Sequence, residues 1–157
     1  MNPLDRSLAS LARREFTGSI TDTSLLERIL AEFEVDCVFH LAALLSTRAE
    51  FTPIAAHHVN VEGTLNLLEF AQKQGESHGR TVCFLYPSSI ATYGLPDRET
   101  KARAGRVRED EYVHPTTMCG CTKQYCEELG RYYKHYYKRL SVNVTPTSIS
   151  GASASRA

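Results

Sequence analysis

Two stretches decide the fold of this chain: Asp36-Cys-Val-Phe-His-Leu41 and Thr81-Val-Cys-Phe-Leu-Tyr86. Each is a short, nearly continuous apolar run. Runs of this length and composition predict strands that are buried on both faces of a parallel sheet. A shorter extended piece is expected at Arg14–Thr17, and one more strand is expected at Ser141–Thr147.

The segments between these strands have the 3.6-residue periodicity of helices. The first helix is expected to begin at Thr21–Thr23, which offer N-caps, and to end near Glu34. A second helix is expected over about residues 53–74, with Gly75 ending it, and a third over about residues 116–138. Strands that alternate with helices predict an α/β fold with a parallel sheet.

Two apolar stripes run along the longer helices and indicate what each helix buries. In the second helix the stripe is Val61, Leu65, Leu68 and Ala71. In the third it is core or a subunit interface and consists of Met118, Tyr125, Leu129, Tyr132, Tyr136 and Leu140. The intervening polar stretch, Leu95–His114, is expected to be a solvated surface excursion.

Charge and composition exclude several classes of function. The 157 residues include 18 basic and 18 acidic side chains and 42% apolar residues. That balance gives no electrostatic case for nucleic acid or an anionic membrane as partner. The longest nearly apolar run, Cys37–Leu45, is too short to span a membrane. With no targeting signal recognised, the cytoplasm is the default compartment.

The five cysteines are expected to be reduced thiols, most of them buried. Cys119, Cys121 and Cys126 lie close together in the sequence and follow His114. Their spacing is not a zinc pattern, and positions 119 and 121 face nearly opposite sides of a helix. We therefore expect no metal site.

Four motifs then occur in a fixed order along the chain. They are His40-Leu-Ala-Ala43, Asn60-Val-Glu-Gly-Thr64, Pro87-Ser-Ser-Ile-Ala-Thr-Tyr-Gly94 and Pro115-Thr-Thr-Met-Cys-Gly-Cys-Thr-Lys123. Together they resemble the extended short-chain dehydrogenase/reductase family, which includes NAD-dependent nucleotide-sugar epimerases and dehydratases. The stretch Leu41–Ser46, with Thr117-Met118, also looks like the family's L-threonine dehydrogenase branch.

The resemblance implies a Rossmann-like domain and a role for each motif. The backbone of Leu41, Ala42 and Ala43 would line the riboses of NAD or NADP. Asn60 would brace the active site, and Ser89 would hydrogen-bond the reacting oxygen. Lys123 would bind the nicotinamide ribose and lower the pKa of a general acid/base four residues earlier.

That acid/base position is the first departure from the family pattern. The family has Tyr-x-x-x-Lys, whereas this chain has Cys119 four residues before Lys123. The unperturbed pKa of a thiol is about 8.5, against about 10 for tyrosine, so acidity is not the obstacle. A thiol ends close to the main chain, however, and a base must come within hydrogen-bond distance of its proton. We therefore expect Cys119 to leave hydride chemistry strongly impaired.

The second and third departures concern sequence at the two ends. The chain has no G-x-G-x-x-G turn to bind a pyrophosphate, and Ser19 stands where the family has an acidic residue near adenine. We therefore expect weak NAD binding and a bare pairing edge on the strand at 36–41. Residues 1–17 are predicted to be a lead-in, 18–147 a partial NAD(P)-binding domain, and 148–157 a disordered tail with no substrate pocket encoded.

Three functions remain open from the sequence. The first is impaired hydride transfer between NAD and the hydroxyl of a small-molecule substrate of the nucleotide-sugar type. The second is a remnant that resembles L-threonine dehydrogenase. The third is a non-catalytic interaction module, because the helices at about 53–74 and 116–138 resemble those that pair across family dimers. Such a module would form a homodimer or pair with a full-length relative.

Overall fold

The computed structural model describes residues 14–105, 107–108 and 110–145. In chain order the elements are α1 (Thr23–Glu32), β1 (Cys37–Phe39), α2 (Ser46–Phe51), α3 (Pro53–His57), a π turn (His58–Glu62), α4 (Gly63–His78), β2 (Val82–Pro87), a 3₁₀ turn (Ile90–Thr92), α5 (Arg98–Ala104), α6 (Met118–Tyr136) and β3 (Leu140–Thr145). The domain limits expected at 1–17 and 148–157 fall largely or wholly outside the described residues.

The three strands form one parallel sheet in the order β1-β2-β3. Phe84, at the centre of β2, is fully buried and lies in register with Val38 and Val142. One face of the sheet packs against α4 through Leu68 and Ala71, and the same face packs against the buried side chains of α6. The α/β fold with a parallel sheet, expected from the alternating pattern, is confirmed.

Side-chain caps fix where two of the predicted helices begin. The Asp22 carboxylate accepts a hydrogen bond from Leu25 N at 3.1 Å at the start of α1. The Thr117 hydroxyl oxygen accepts from Gly120 N at 3.1 Å at the start of α6. Each cap satisfies a backbone donor that the first helical turn leaves unpaired. Helix α6 therefore begins about two residues later than expected.

The prediction that the strand at 36–41 is buried on both faces is wrong. Strand β1 covers only Cys37–Phe39, and both of these end residues are exposed, Phe39 by 68%. In the part of the chain that the structure describes, β1 pairs on one side only, with β2. Among those residues β1 is an edge strand of the sheet. Arg14–Thr17 forms no strand, because no described strand lies beside it to supply hydrogen bonds.

The helix expected over 53–74 is longer and less regular than predicted. It consists of α3, the π turn and α4, and it continues through Gly75 to His78. A Cβ on Gly75 would lie 2.6 Å from the carbonyl oxygen of Arg139, so the glycine permits close packing instead of ending the helix. The end is made by Gly79, whose positive φ of 75° suits a residue without a side chain.

The stripe predicted for the second helix is partly wrong. For the stripe on α6 the core interpretation is wrong at its exposed tyrosines, and the subunit interface stays a prediction. Leu65 is 37% exposed, and the buried face of α4 passes through Thr64 and Leu67 instead. In α6 the tyrosines at 125, 132 and 136 are about half exposed or more, and Cys126 and Tyr133 face the core. The 3.6-residue period marks an apolar face, but only the neighbouring elements decide which face is covered.

Two further predictions concern the polar stretch before α6 and the five cysteines. The described residues of the stretch 95–114 are mostly exposed, as expected, and include the short helix α5. Of the five cysteines, only Cys119 and Cys126 are buried, so the expectation that most are buried is wrong. Cys37 is exposed and Cys83 half-buried because both lie on the sheet face opposite the helices.

Candidate functional site at the carboxyl ends of the strands

The segment that follows β1 is held in place by one asparagine. The Asn60 side chain accepts a hydrogen bond from Leu44 N at 2.7 Å and donates to Leu44 O at 3.0 Å. It also donates to the Thr122 hydroxyl at 3.2 Å. These bonds join the loop after β1 to α6, and the role of Asn60 in an active site stays a prediction.

A π turn presents Asn60 to that loop. The turn spans His58–Glu62, and its wide geometry is visible in the bond from Gly63 N to His58 O, five residues back. Such turns occur as single insertions in helices and are frequent at functional sites. Asn60 is only 3% exposed, so its amide makes its hydrogen bonds inside the protein and not to bulk water.

Two further polar side chains extend this buried network. The Thr64 hydroxyl donates to Asn60 O and therefore accepts from His40 Nε2 at 2.7 Å. That assignment leaves His40 Nδ1 as an acceptor, and it has no hydrogen-bond partner among the described residues. Burial, with a smaller effect from the charge of Lys123, lowers the pKa of His40 to about 4. His40 is thus neutral near pH 7.

Ser89 lies at the carboxyl end of β2 and caps the 3₁₀ turn. Its Oγ accepts a hydrogen bond from Ala91 N at 3.2 Å. Because a hydroxyl both accepts and donates, this bond leaves the Ser89 proton able to bond a ligand. Ser88 differs: its hydroxyl donates to Glu127, which gives it a structural partner.

Cys119 lies in the first turn of α6 and is 5% exposed. It belongs to a small apolar cluster with Ala49 and Ala56. The next residue brings this turn against the loop that carries Ser89, because a Cβ on Gly120 would lie only 2.0 Å from Ala91 O. The glycine is therefore what permits the helix and the loop to meet.

Lys123 follows Cys119 by one helical turn and points toward β2. Its Nζ donates to Pro87 O at 2.7 Å and lies 4.2 Å from the centre of the Tyr86 ring. Burial lowers the pKa of Lys123, which the nearby thiols and Glu127 partly oppose. A buried ammonium with one described hydrogen bond has N–H donors left for a ligand.

The structure brings most of the predicted site residues to one end of the sheet. Pro87 and Ser89 belong to the same short segment, which contacts both Lys123 and Gly120. The loop at 41–43 lies beside Asn60, with Leu41 77% exposed and Ala42 also exposed. These ligand-facing roles stay predictions, because they need a bound molecule to test them.

Sequence reasoning missed the polar side chains that support this site. His40, Thr64 and Thr122 were quoted within the motifs but received no role. The signal available was their position: each lies inside a motif and each is a polar residue on the buried side of its element. All three are at most 3% exposed, and each hydrogen-bonds Asn60 or Thr64.

The described residues fit one half of a nicotinamide dinucleotide. Lys123 and Ser89 supply donors, and the backbone at 41–43 offers a small-residue surface. The other half needs backbone N–H groups at a glycine-rich turn, and this sequence contains no G-x-G-x-x-G. The donor set therefore suits the nicotinamide ribose and provides no recognised cradle for the pyrophosphate.

An open cavity of about 590 Å³ adjoins Ser89, although no substrate pocket was expected. Three carboxylates and one guanidinium line it: Asp110, Glu127, Glu128 and Arg131. Arg131 is paired with the two glutamates, and Asp110 is paired with Arg108. The lining thus holds more acidic than basic side chains, each carboxylate with a cationic partner, and neither Cys119 nor Lys123 is part of it.

The described part of the chain lacks two kinds of feature: a cluster of metal-ligating side chains and a helix that could span a membrane. There, no group of three or more His, Cys, Asp or Glu side chains is arranged to hold a metal ion. Over the same ranges, no helix has the length and apolar character required to cross a membrane.

Comparison with known proteins covers nearly the whole chain. A family model described as GDP-mannose 4,6 dehydratase matches residues 8–152. An uncharacterized epimerase/dehydratase of Staphylococcus aureus (strain USA300) is 34% identical over 132 residues, which are 84% of this chain. The match covers 37% of that relative, so this chain spans little more than a third of its length.

Solved structures of two enzymes are also similar to this chain. L-threonine dehydrogenase from Clostridium difficile is 31% identical, with a TM-score of 0.67 over 79% of this chain and 35% of that one. The UDP-Glc/GlcNAc 4-epimerase from Campylobacter jejuni has a TM-score of 0.74 at 21% identity, over 91% of this chain and 40% of its own. At that identity the second likeness shows the fold alone.

Proposed function

Because this chain belongs to the GDP-mannose 4,6 dehydratase family of extended short-chain dehydrogenases/reductases, we propose that it carries the nicotinamide end of an NAD-dependent hydride-transfer site. In this proposal Lys123 and the backbone at 41–43 bind the nicotinamide ribose. Ser89 positions the reacting oxygen of a substrate hydroxyl, and Asn60 braces the loop. The cofactor, when bound, accepts or returns the hydride.

The observation that carries the proposal is the place of Cys119. It lies one turn before Lys123, where the family pattern has tyrosine, and its thiol is buried beside Ala49 and Ala56. A buried thiol without the reach of a phenol cannot approach a substrate proton directly. Hydride transfer by this chain is therefore strongly impaired, and Cys119 is the residue that limits it.

The experiment compares Cys119→Tyr with the native chain and with Cys119→Phe. NADH formation is followed with L-threonine, and conversion to the 4-epimer is followed with UDP-glucose. General acid/base catalysis contributes roughly 100- to 10,000-fold, so we expect Cys119→Tyr to be faster by at least about 100-fold. Cys119→Phe is the matched control, because it adds the ring without the hydroxyl.

The outcomes separate chemistry from packing. A gain in Cys119→Tyr but not in Cys119→Phe supports the proposal. Equal rates in all three proteins, including rates that never exceed background, contradict it. The far-ultraviolet circular dichroism and melting midpoint of each variant establish that the helix start tolerates the ring.

The cofactor proposal is limited to the nicotinamide half. We propose NAD or NADP as the ligand, bound weakly by this chain because no glycine-rich turn offers donors to the pyrophosphate. Ser19, where the family has an acidic residue near adenine, weakens the adenosine end further. NAD is then expected to bind hardly better than its nicotinamide mononucleotide half.

One observation favours an amino-acid substrate over a sugar nucleotide. The lining of the cavity beside Ser89 has three carboxylates and one guanidinium; Arg131 pairs with Glu127 and Glu128, Asp110 pairs with Arg108, and the net charge of the lining is negative. Such a wall repels a doubly charged diphosphate and attracts an ammonium group. The similarity to L-threonine dehydrogenase points the same way. In the Cys119→Tyr protein, we expect L-threonine to react faster than UDP-glucose, and the reverse preference contradicts this choice.

An interaction module is the competing function, and exposed aromatic rings favour it. Tyr125, Tyr132 and Tyr136 are 52%, 49% and 64% exposed on one side of α6. Exposed tyrosines are enriched in protein interfaces. We propose that this face, with the helix at about 53–74, pairs with a second copy or with a full-length relative.

Native mass spectrometry tests this pairing. The chain is measured alone and mixed with a full-length relative, and each sample is repeated with Tyr132→Ser. A dimer that Tyr132→Ser weakens supports the module, with Tyr112→Ser, a tyrosine exposed elsewhere, as the matched control. A chain that stays monomeric in both samples contradicts it.

A further inference from the structure

Two cysteines outside the candidate site face each other across neighbouring strands. Cys37 in β1 and Cys83 in β2 are direct register partners. Neighbouring strands lie about 4.8 Å apart. A disulfide requires Cα atoms about 4.4–6.8 Å apart, so the backbone already has the spacing that a bridge between these residues needs.

Both thiols lie on the same face of the sheet. Residues alternate between faces along a strand, and Val38, Val82 and Phe84 all belong to the core. Cys37 and Cys83 therefore project from the opposite face. There Cys37 is exposed and Cys83 is half-buried, which gives a soluble oxidant access to the first thiol and leaves the second beside it.

The surroundings indicate that the two sulfurs interact. Burial raises the pKa of the Cys37 thiol, and the neighbouring Cys83 raises it further, so the attacking thiolate is the minor form of Cys37 near pH 7. Asn143, on the same face of β3, donates from Nδ2 to Cys83 Sγ at 3.5 Å. The remaining exposed thiol, Cys121, lies at the start of α6 and donates to Pro115 O.

We propose that Cys37 and Cys83 form a thiol–disulfide exchange site that reacts with low-molecular-weight disulfides such as glutathione disulfide. The Cys37 thiolate attacks one sulfur of the disulfide, forming a mixed disulfide and releasing one thiolate. The Cys83 thiolate then attacks the Cys37 sulfur and releases the second. Two protein thiols and one disulfide become one protein disulfide and two small thiols, the protons passing to the released thiolates.

The reaction would act at the edge of the described sheet. Strand β1 is three residues long and pairs only with β2 among the described residues. A bridge from Cys37 to Cys83 fastens this edge strand to the central one. The loop at 41–43 runs from β1 toward the candidate site. The oxidation state of Cys37 and Cys83 would therefore affect the position of that loop.

Disulfide mapping of the intact chain tests the proposal. The folded protein is incubated with glutathione disulfide, free thiols are alkylated, and trypsin digestion is followed by mass spectrometry. Cleavage after Arg or Lys places Cys37 in the peptide 29–48 and Cys83 in the peptide 81–98. Cys119 and Cys121 share a third peptide, and Cys126 lies in a fourth. We expect the linked 29–48/81–98 pair to be the main intramolecular disulfide.

The denatured chain and two variants provide the controls. Without the fold, closing the 46-residue span from 37 to 83 is roughly 30-fold less favourable than closing the 5-residue span from 121 to 126. The linked pair should therefore lose its dominance in denaturant. Cys37→Ser should abolish it, and Cys121→Ser should leave it intact.

Several results would overturn the proposal. One is a folded chain that stops at the mixed disulfide on Cys37. Another is a folded chain whose main disulfide joins other cysteines. A third is a linked pair that forms equally well in denaturant, because the register of β1 and β2 would then have no part in the reaction.

Discussion

Replacing Asn60 by alanine tests the brace on which the candidate site depends. The change removes three hydrogen bonds, two with the backbone of Leu44 and one with the Thr122 hydroxyl. Each typically contributes about 1 kcal/mol, and buried groups left unpaired cost more. We therefore expect the free energy of unfolding to fall by about 2–4 kcal/mol in a denaturant titration.

Asn66→Ala is the matched control for this change. Asn66 lies in the same helical segment, half-buried, and its side chain makes one long bond, from Nδ2 to Ile20 O at 3.3 Å. Its replacement should cost less than about 1 kcal/mol. Hydrogen exchange adds a local readout, because the Leu44 amide should lose protection in Asn60→Ala and keep it in Asn66→Ala.

The result that would refute this reasoning is equally specific. If Asn60→Ala destabilises the chain no more than Asn66→Ala, and the Leu44 amide exchanges as in the native protein, the loop at 41–45 is held by something other than Asn60. The proposal that the backbone at 41–43 binds a ribose would then have no structural support.

Three further changes have calculable effects. Gly120→Ala places a Cβ against a loop carbonyl and should cost about 1–3 kcal/mol in thermal unfolding, more than Gly130→Ala, whose nearest neighbour at 3.0 Å is a side-chain methyl. His40 has a pKa lowered from 6.5 to about 4, so its contribution to stability is fully present above its unfolded pKa and is lost as the pH falls. The free energy of unfolding should therefore fall by about 2 kcal/mol between about pH 7.5 and about pH 5. His40→Gln should flatten that part of the stability profile. Gln74→Ala removes a buried amide that accepts from Val35 N at 3.0 Å and donates to Phe33 O at 2.8 Å. The free energy of unfolding measured in urea should fall by about 2–3 kcal/mol. No loss would mean that water replaces the amide.

The sequence predicted those features that short-range chemistry controls. The Asp22 cap and the strand expected at 81–86, observed at Val82–Pro87, follow from residues close to the element itself. The motifs also named Asn60 and Lys123, which the structure places beside the segments that follow β1 and β2; their roles stay predictions.

The features that the sequence did not predict depend on distant neighbours. Phe39 is exposed because no described element packs on that face of β1. The apolar run alone does not show which elements pack on the strand. Gly75 resembled a helix stop, but its role is to let Arg139 approach. The π turn at 58–62 was not predicted, and within it Asn60 hydrogen-bonds Leu44, a residue distant in the sequence.

The central claim, that this chain carries the nicotinamide end of a dinucleotide site without the pyrophosphate cradle, is tested most directly by melting the protein with NAD and with nicotinamide mononucleotide. A ligand that binds only the folded state raises the midpoint. The account predicts small and equal shifts for both ligands at millimolar concentration, and no shift for either in Lys123→Met. A clearly larger shift with NAD, or shifts that persist in Lys123→Met, would contradict it.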